Sequence, residues 1–413
     1  MVRGFGRCAA LALLLAWASA PARAENAILR FTTARYTATS ADYFPLAGED
    51  FEAANPGIEI KVEVLDLGRL QPVLQSQIVA GSNPDMAVVG TRWLPELVRG
   101  QQLAPLDPMM SGEFRSRFIG PFLQPGKVDG KLYGLPTASS AYALFSNRGM
   151  LARGGIAAPP ATWDALLADA LRLRAEGIRA LGLPGRGVDA AILWYCGLWS
   201  RGGELLDQDG HAAFASPAGL AALSELRALA AGGGTEDAPA DRDAAEVEAM
   251  FVHGEVAAVL GTPALIDRLG RDAPNLPYDI SAVPQATQPA TYAAADEMVL
   301  FSNSRVTATA FHFMDYLFTR VPRLAFVQAE RTLPTTAAVA RDKYFTKDER
   351  LGAFTKLLPT AHFTPTVDGW DAAAAALADA VHAVLAGQSA PEPALQAASA
   401  RADAAMRHRS REE

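Results

Sequence analysis

The sequence predicts an α/β protein, a mainly parallel sheet with helices on its faces, divided into two or three domains. Three observations carry this. The 413 residues exceed what one core usually holds, at roughly 100–200 residues per domain. Half of the residues are hydrophobic and only 20% are charged, a balance that suits packed cores and excludes a disordered chain. Strand-type and helix-type runs alternate from residue 28 to residue 99 with short turn signals between them, the order that gives parallel strands and crossover helices.

Each element has its own reason. Ile28 to Thr32 is a short β-type run leading into a polar loop with Arg35 and Tyr36. Asp42 to Ala54 has helical spacing and closes at Asn55-Pro56-Gly57. From Ile58 to Val64 every second residue is apolar, which predicts a strand with one wet face. Leu70 to Ala80 is a helix stopped by Gly81, and Met86 to Val89 is a continuous apolar run expected of a strand covered on both faces. Leu94 to Arg99 is a helix ending at Gly100. Further on, Thr162 caps a helix over Trp163 to Glu176, and Ser216 with Pro217 starts one that runs to Ala231. Val256 to Leu260 reads as a strand, Val306 to Phe318 as an amphipathic helix and Ala372 to Ala386 as an Ala-rich helix. Residues 232–245 are expected to be a loose linker, and the charged residues 401–413 to be frayed.

The N-terminus reads as an export signal. Arg3 and Arg7 precede the apolar stretch Cys8 to Ala18, and Ala22-Arg23-Ala24 is a small-x-small cleavage site. The apolar stretch is shorter than the ~20 residues a membrane span needs. Cleavage after residue 24 removes three arginines and no acid, making the exported chain more acidic than the net −8 of the whole sequence. That balance, with no basic run before the final residues, excludes a nucleic-acid binder. It also strands Cys196 alone, so no internal disulfide forms and the fold rests on its core. Cys196 is expected to be a buried small apolar residue.

A search for catalytic chemistry returns little. His211, His253, His312, His362, His382 and His408 show no close metal-ligand spacing in sequence. No nucleophile elbow, phosphate loop or dinucleotide fingerprint is present, so no cofactor and no metal are expected. A glycosidase-type carboxylate pair can be neither argued for nor dismissed among 45 acids. What stands out is aromatics beside turns: Tyr36, Trp93, Tyr142, Trp194, Tyr195 and Trp370. Aromatic faces suit the C–H side of a sugar ring, with neighbouring polar groups taking its hydroxyls; taken singly, each is as well explained as a packed core ring.

Three motifs then resemble a known family. Gly130-Lys131-Leu132-Tyr133-Gly134-Leu135-Pro136, Phe145-Ser146-Asn147 and Pro159-Pro160-Ala161-Thr162-Trp163-Asp164 are similar to the signatures of the extracellular solute-binding proteins of ABC importers, carbohydrate type, which includes maltose- and glycerol-phosphate-binding proteins. Phe51 to Ile58, Gly81 to Asp85, Leu103 to Asp107, Gly202 to Glu204, Phe251 to Ala258 and Leu333 to Thr335 follow in the family's order, so the likeness covers essentially the whole mature chain. It implies a two-lobed periplasmic-binding-protein fold with crossover hinge strands and a ligand cleft between the lobes. The implied lobes are residues 25–137 plus 294–335 and residues 138–293 plus 336–413, with crossings near 137–142, 286–294 and 333–340.

The resemblance also implies the function and the contacts. The expected role is the periplasmic substrate-binding subunit of an ABC importer, a monomer that takes a sugar, oligosaccharide or polyol and hands it to membrane permeases without catalysis. The residues in cleft-facing positions are Arg35, Tyr36, Thr91, Arg92, Trp93, Ser139, Ser140, Trp194, Gly261, Thr262, Asp296, Glu297, Arg331 and Trp370. The chain departs from the family pattern in two places: Ala294-Ala295 stands where two glycines are usual, and Trp370 lies near the place of an arginine found in glycerol-phosphate binders. The second departure favours a neutral ligand, while Arg35, Arg92 and Arg331 keep an acidic solute as an alternative. A secreted carbohydrate-active enzyme is the other alternative.

Overall fold

Leu29 and Phe31 alternate with exposed Ile28 and Arg30 at the start of the first strand, and their burial seeds the first core. In the computed structural model, which describes residues 27–36 and 40–409, this strand, Ala27–Arg35, pairs in parallel with Ile58–Asp66 on one side and with Met86–Gly90 on the other. The expected export signal at residues 1–24 lies outside the described residues. Helix Ser40–Ala54 makes the first crossover and Leu67–Val79 the second. Phe31, Phe44, Phe51 and Phe313 meet edge to face, with ring centroids 5.0–6.2 Å apart, and fill the space between sheet and helices.

The sheet is mixed rather than mainly parallel. Strand Thr291–Leu300 arrives from the other lobe, so it runs antiparallel to Met86–Gly90 on one side and to Gly134–Ala141. The second sheet is wholly antiparallel, with Ala143–Asn147 between Ala258–Gly261 and Tyr278–Ser281. A large core of helices surrounds it, including Trp163–Ala175, Ile192–Trp199, Pro217–Ala231 and Trp370–Leu385. The caps are the expected ones: Thr162 accepts from Ala165 N–H at 3.2 Å and Ser216 from Gly219 N–H at 3.3 Å.

Two further expectations fail, each for a packing reason. Residues 401–409 continue a helix, Pro391–Arg409, instead of fraying. Ala394, Leu395, Ala398 and Ala402 form a buried stripe at helical spacing against Trp370–Leu385, and Asp403 accepts from Ala212 N–H at 2.8 Å. The 232–245 stretch is not loose either. Thr235, Glu236, Pro239 and Ala240 are buried, and the Glu236 carboxyl accepts from Leu183 N–H at 3.0 Å.

Three chain segments run side by side between the lobes. Gly134–Ala141 pairs with Thr291–Leu300. Ser139 exchanges two hydrogen bonds with Leu333, Oγ to carbonyl at 2.8 Å and N–H from Leu333 to carbonyl at 2.9 Å. Gly134 has no alternative in this packing, because a Cβ there would lie 2.6 Å from that of Glu297. Arg323, only 2% exposed, anchors the bundle by donating to the Thr137 carbonyl and to Thr335 Oγ1, while its guanidinium lies over Phe318 and Phe326. Burial pushes that guanidinium down to about 10. Downstream of the third segment, Val339 and Phe345 pack in the same core as Phe31, and Phe354 and Leu358 pack beside Phe145.

Candidate functional site

A cleft of about 860 Å³ opens where the crossing strand Thr291–Leu300 leaves one lobe for the other, a size ordinary for a small-molecule site. Its first-lobe wall follows from the end of strand Met86–Gly90, which turns tightly through Thr91–Trp93 into helix Leu94–Arg99. Thr91 Oγ1 donates to the Ala295 carbonyl at 2.5 Å, fixing this turn against the crossing strand. Tyr36, just past the first strand, donates its hydroxyl to Asp296 at 2.7 Å. Burial pushes the Asp296 carboxyl up, and the Tyr36 hydrogen bond and the Arg92 guanidinium pull it back. Burial, then Asp296, hold the Tyr36 hydroxyl well above its ordinary value, so it stays a donor.

The second-lobe wall is aromatic. Tyr195 and Tyr292 line the cleft with ring centroids 5.7 Å apart and planes 15° from parallel. Trp199 lies nearly parallel to Tyr195 at 5.4 Å, and His362 continues the stack at 5.0 Å from Trp199. Burial lowers the His362 imidazole below its ordinary value, which favours the neutral ring. Residues 363–371 and the first turn of helix Trp370–Leu385 complete this side. Gly369 supplies the bend into that helix at φ +79°, and a Cβ would stand 2.8 Å from the Ala405 carbonyl. Asp189, before helix Ile192–Trp199, faces the cleft; burial raises its carboxyl and Asp243 adds to the rise.

Of the residues placed in the cleft by resemblance, the structure brings Tyr36, Thr91, Arg92, Trp93, Asp296 and Trp370 together along it. The others lie elsewhere. Arg35 is exposed and pairs with Asp66 at 3.5 Å, and Arg331 reaches Asp267 at 2.7 Å. Trp194 is fully buried in the second-lobe core and donates its indole N–H to the Gly219 carbonyl at 2.9 Å. Ser139 is committed to Leu333, Ser140 sits opposite Ala294 in the strand pair, and Gly261 is packed under Leu265 and Phe145. Thr262 precedes helix Pro263–Asp272. Glu297 is wholly buried against Gly134; burial first and Asp296 second hold its carboxyl well above the usual range.

Residue reasoning missed Asp189, Tyr292 and Asp368 and passed over Tyr195. Tyr195 stands among the aromatics beside turns, but the resemblance points to its neighbour Trp194. Helical phase separates the two: Ile192 and Tyr195, three apart, line the cleft, and Trp194 turns into the core. Ala293, Ala294 and Ala295 line the cleft floor, so the pair that replaces the usual glycines belongs to it. Away from the cleft, Cys196 is buried and its thiol is pushed up to about 12. The exposed trio Asp207, Asp209 and His211 is close in space, but Asp207 Oδ1 already accepts both backbone N–H groups of the turn at 2.9 Å.

Residues 37–321 match the family described as bacterial extracellular solute-binding protein. A binding protein of Brucella abortus (strain 2308) is 35% identical over 388 residues, covering 93% of this chain and 94% of its own length. Among solved structures, the cyclic alpha-maltosyl-1,6-maltose binding protein from Arthrobacter globiformis superposes with a TM-score of 0.84 at 21% identity, covering 92% of this chain and 99% of that one. The sugar-binding protein MalE from Xanthomonas citri gives 0.82 at 20% identity, with 93% and 98% covered. At such identities the structural likeness speaks for the two-lobed fold.

Proposed function

The chain belongs to the bacterial extracellular solute-binding protein family, and from that premise we propose that it is the periplasmic substrate-binding subunit of an ABC importer, taking a sugar, oligosaccharide or polyol. The observation that carries the reading is the pairing of two unlike walls in one cleft. Tyr195, Tyr292 and Trp370 give one side an aromatic lining, and Tyr36, Arg92 and Asp296 stand on the other side with polar groups for hydroxyls. Two lobes flex about the three side-by-side segments, and Val339 and Phe345, expected in the second lobe, are counted with the first because they share the core of Phe31. Contacts to both walls exist together only when the lobes are closed, so the ligand shifts the hinge equilibrium toward closure. The closed monomer is then the form that the permeases engage. None of these steps breaks a covalent bond of the ligand.

Calorimetric titration against mono- and oligosaccharides, polyols and glycerophosphodiesters tests this reading. A saccharide or polyol binding at micromolar Kd or tighter supports it; silence across the panel overturns it. The anionic alternative loses ground because two of its three arginines are paired outside the cleft, leaving Arg92. The enzymatic alternative predicts release from chromogenic glycosides that disappears on changing Asp189 or Asp296, and that result would replace the present reading.

A further inference from the structure

The charges that line the cleft are lopsided. Glu96, Asp189, Asp296, Asp368 and Asp371 face it against a single cation, Arg92. Asp368 is answered from outside the lining by Arg99, and Asp296 by the Tyr36 hydroxyl. The Asp189 carboxyl has neither a hydrogen bond nor an ion pair among the described residues, and it lies in the turn Val188–Ala191 just before the helix that carries Tyr195.

Closure withdraws these carboxylates from water, and hydroxyl groups alone would leave the excess negative charge in place. An ammonium supplies both the missing charge and charge-assisted donors, and the half-buried ring of Tyr292 in the cleft lining is favourable beside a cation. Carboxylates on both walls, Asp296 on one and Asp189 and Asp371 on the other, also repel one another as the empty cleft narrows. A cation between them removes that repulsion and couples occupancy to closure. We propose that the solute is a saccharide or polyol bearing a protonated amine, an amino sugar being the simplest case, with Asp189 as the residue that selects for it. This inference rests on the sugar-binding reading above and narrows its substrate class.

The test is calorimetry on the mature chain at neutral pH with matched pairs: glucosamine and glucose, galactosamine and galactose, and the β-1,4 disaccharides of glucosamine, N-acetylglucosamine and glucose. The free amine is expected to bind at least tenfold tighter than its neutral counterparts. In Asp189→Asn that ratio should fall to within about threefold of unity, with a thermal melt confirming that the variant is folded. Neutral members binding as well as or better than the amine, silence of every pair, or an amine preference that survives Asp189→Asn each overturns the inference. If neutral sugars or polyols alone bind, only the amine selectivity falls. If nothing in either panel binds, the sugar-binding reading falls with it.

Discussion

The first-lobe wall of the cleft is a set of polar groups already hydrogen-bonded to one another, whereas the wall opposite is a bank of nearly parallel rings. Tyr36 and Thr91 spend their donors on Asp296 and on the Ala295 carbonyl, so the first wall is pre-oriented before any ligand arrives. Tyr195, Tyr292, Trp199 and His362 are held by stacking, which fixes their planes, and of these Tyr195 and Tyr292 reach the cleft. The difference separates two tasks that one surface would perform poorly. Directional bonds choose how a ligand sits, and ring area supplies nondirectional affinity at about 25 cal/mol per Å² buried.

The largest expected effect tests whether the aromatic wall ends at Tyr195. Trp194→Ala should cost about 3–5 kcal/mol of stability, because it empties a large site in the second-lobe core and removes the indole N–H that donates to the Gly219 carbonyl. Denaturant unfolding measures that loss, and ligand affinity measured well below the transition should stay within threefold of wild type. A variant of normal stability that binds poorly would put Trp194 on the cleft after all.

In the second lobe, Glu236 should make stability depend on pH. Burial raises its carboxyl from the ordinary 4.5 to about 7, although it accepts the Leu183 N–H. Between those two values the folded chain holds a proton that the unfolded chain has released, so this group's effect on stability worsens as pH rises through the window and levels off above it. Glu236→Gln should therefore be neutral near pH 4 and stabilising by about 3 kcal/mol at pH 8. Urea melts at the two pH values check this; equal gains at both would mean that the carboxyl does not titrate there.

Tyr292→Ala probes the ring bank where it meets the ligand. Removing a ring that is part of the stack yet lines the cleft should weaken saccharide binding by about 10- to 100-fold, or 1.4–2.8 kcal/mol, with a smaller stability loss than Trp194→Ala. Titration of the variant with whichever saccharide binds the wild type decides the matter. An unchanged Kd would transfer the affinity to the polar wall.

Much of the scaffold was legible because its signals are local. Thr162 and Ser216 cap the helices they were expected to cap, and the alternation over Ile58 to Val64 became an edge strand with its apolar residues inward. The antiparallel second sheet and the helix Pro391–Arg409 were not legible, since strand direction and an alanine stripe take their meaning only from the partner they meet. The site divides the same way. Tyr36, Thr91, Arg92 and Trp93 follow strand ends, which sequence can mark. Asp189 and Tyr292 enter the cleft through tertiary placement, and Arg35 and Arg331 leave it because Asp66 and Asp267 lie within reach.

The smallest expected effect falls on the polar wall. Tyr36→Phe keeps the ring and deletes the hydroxyl that donates to Asp296 at 2.7 Å. The loss of one hydrogen bond to a part-buried carboxylate is worth about 1 kcal/mol, or a two- to tenfold weaker Kd at neutral pH. The pH dependence is more telling. Burial already raises the Asp296 carboxyl and the Tyr36 hydrogen bond holds it down, so without that bond the carboxyl must climb further. Binding that uses the Asp296 carboxylate should then fail at a higher pH in the variant than in the wild type as the solution is acidified. A Kd profile from pH 8 to pH 4 shows the displacement directly. Superimposable profiles would mean that the Tyr36 hydroxyl tunes nothing, and that the two walls differ in shape alone.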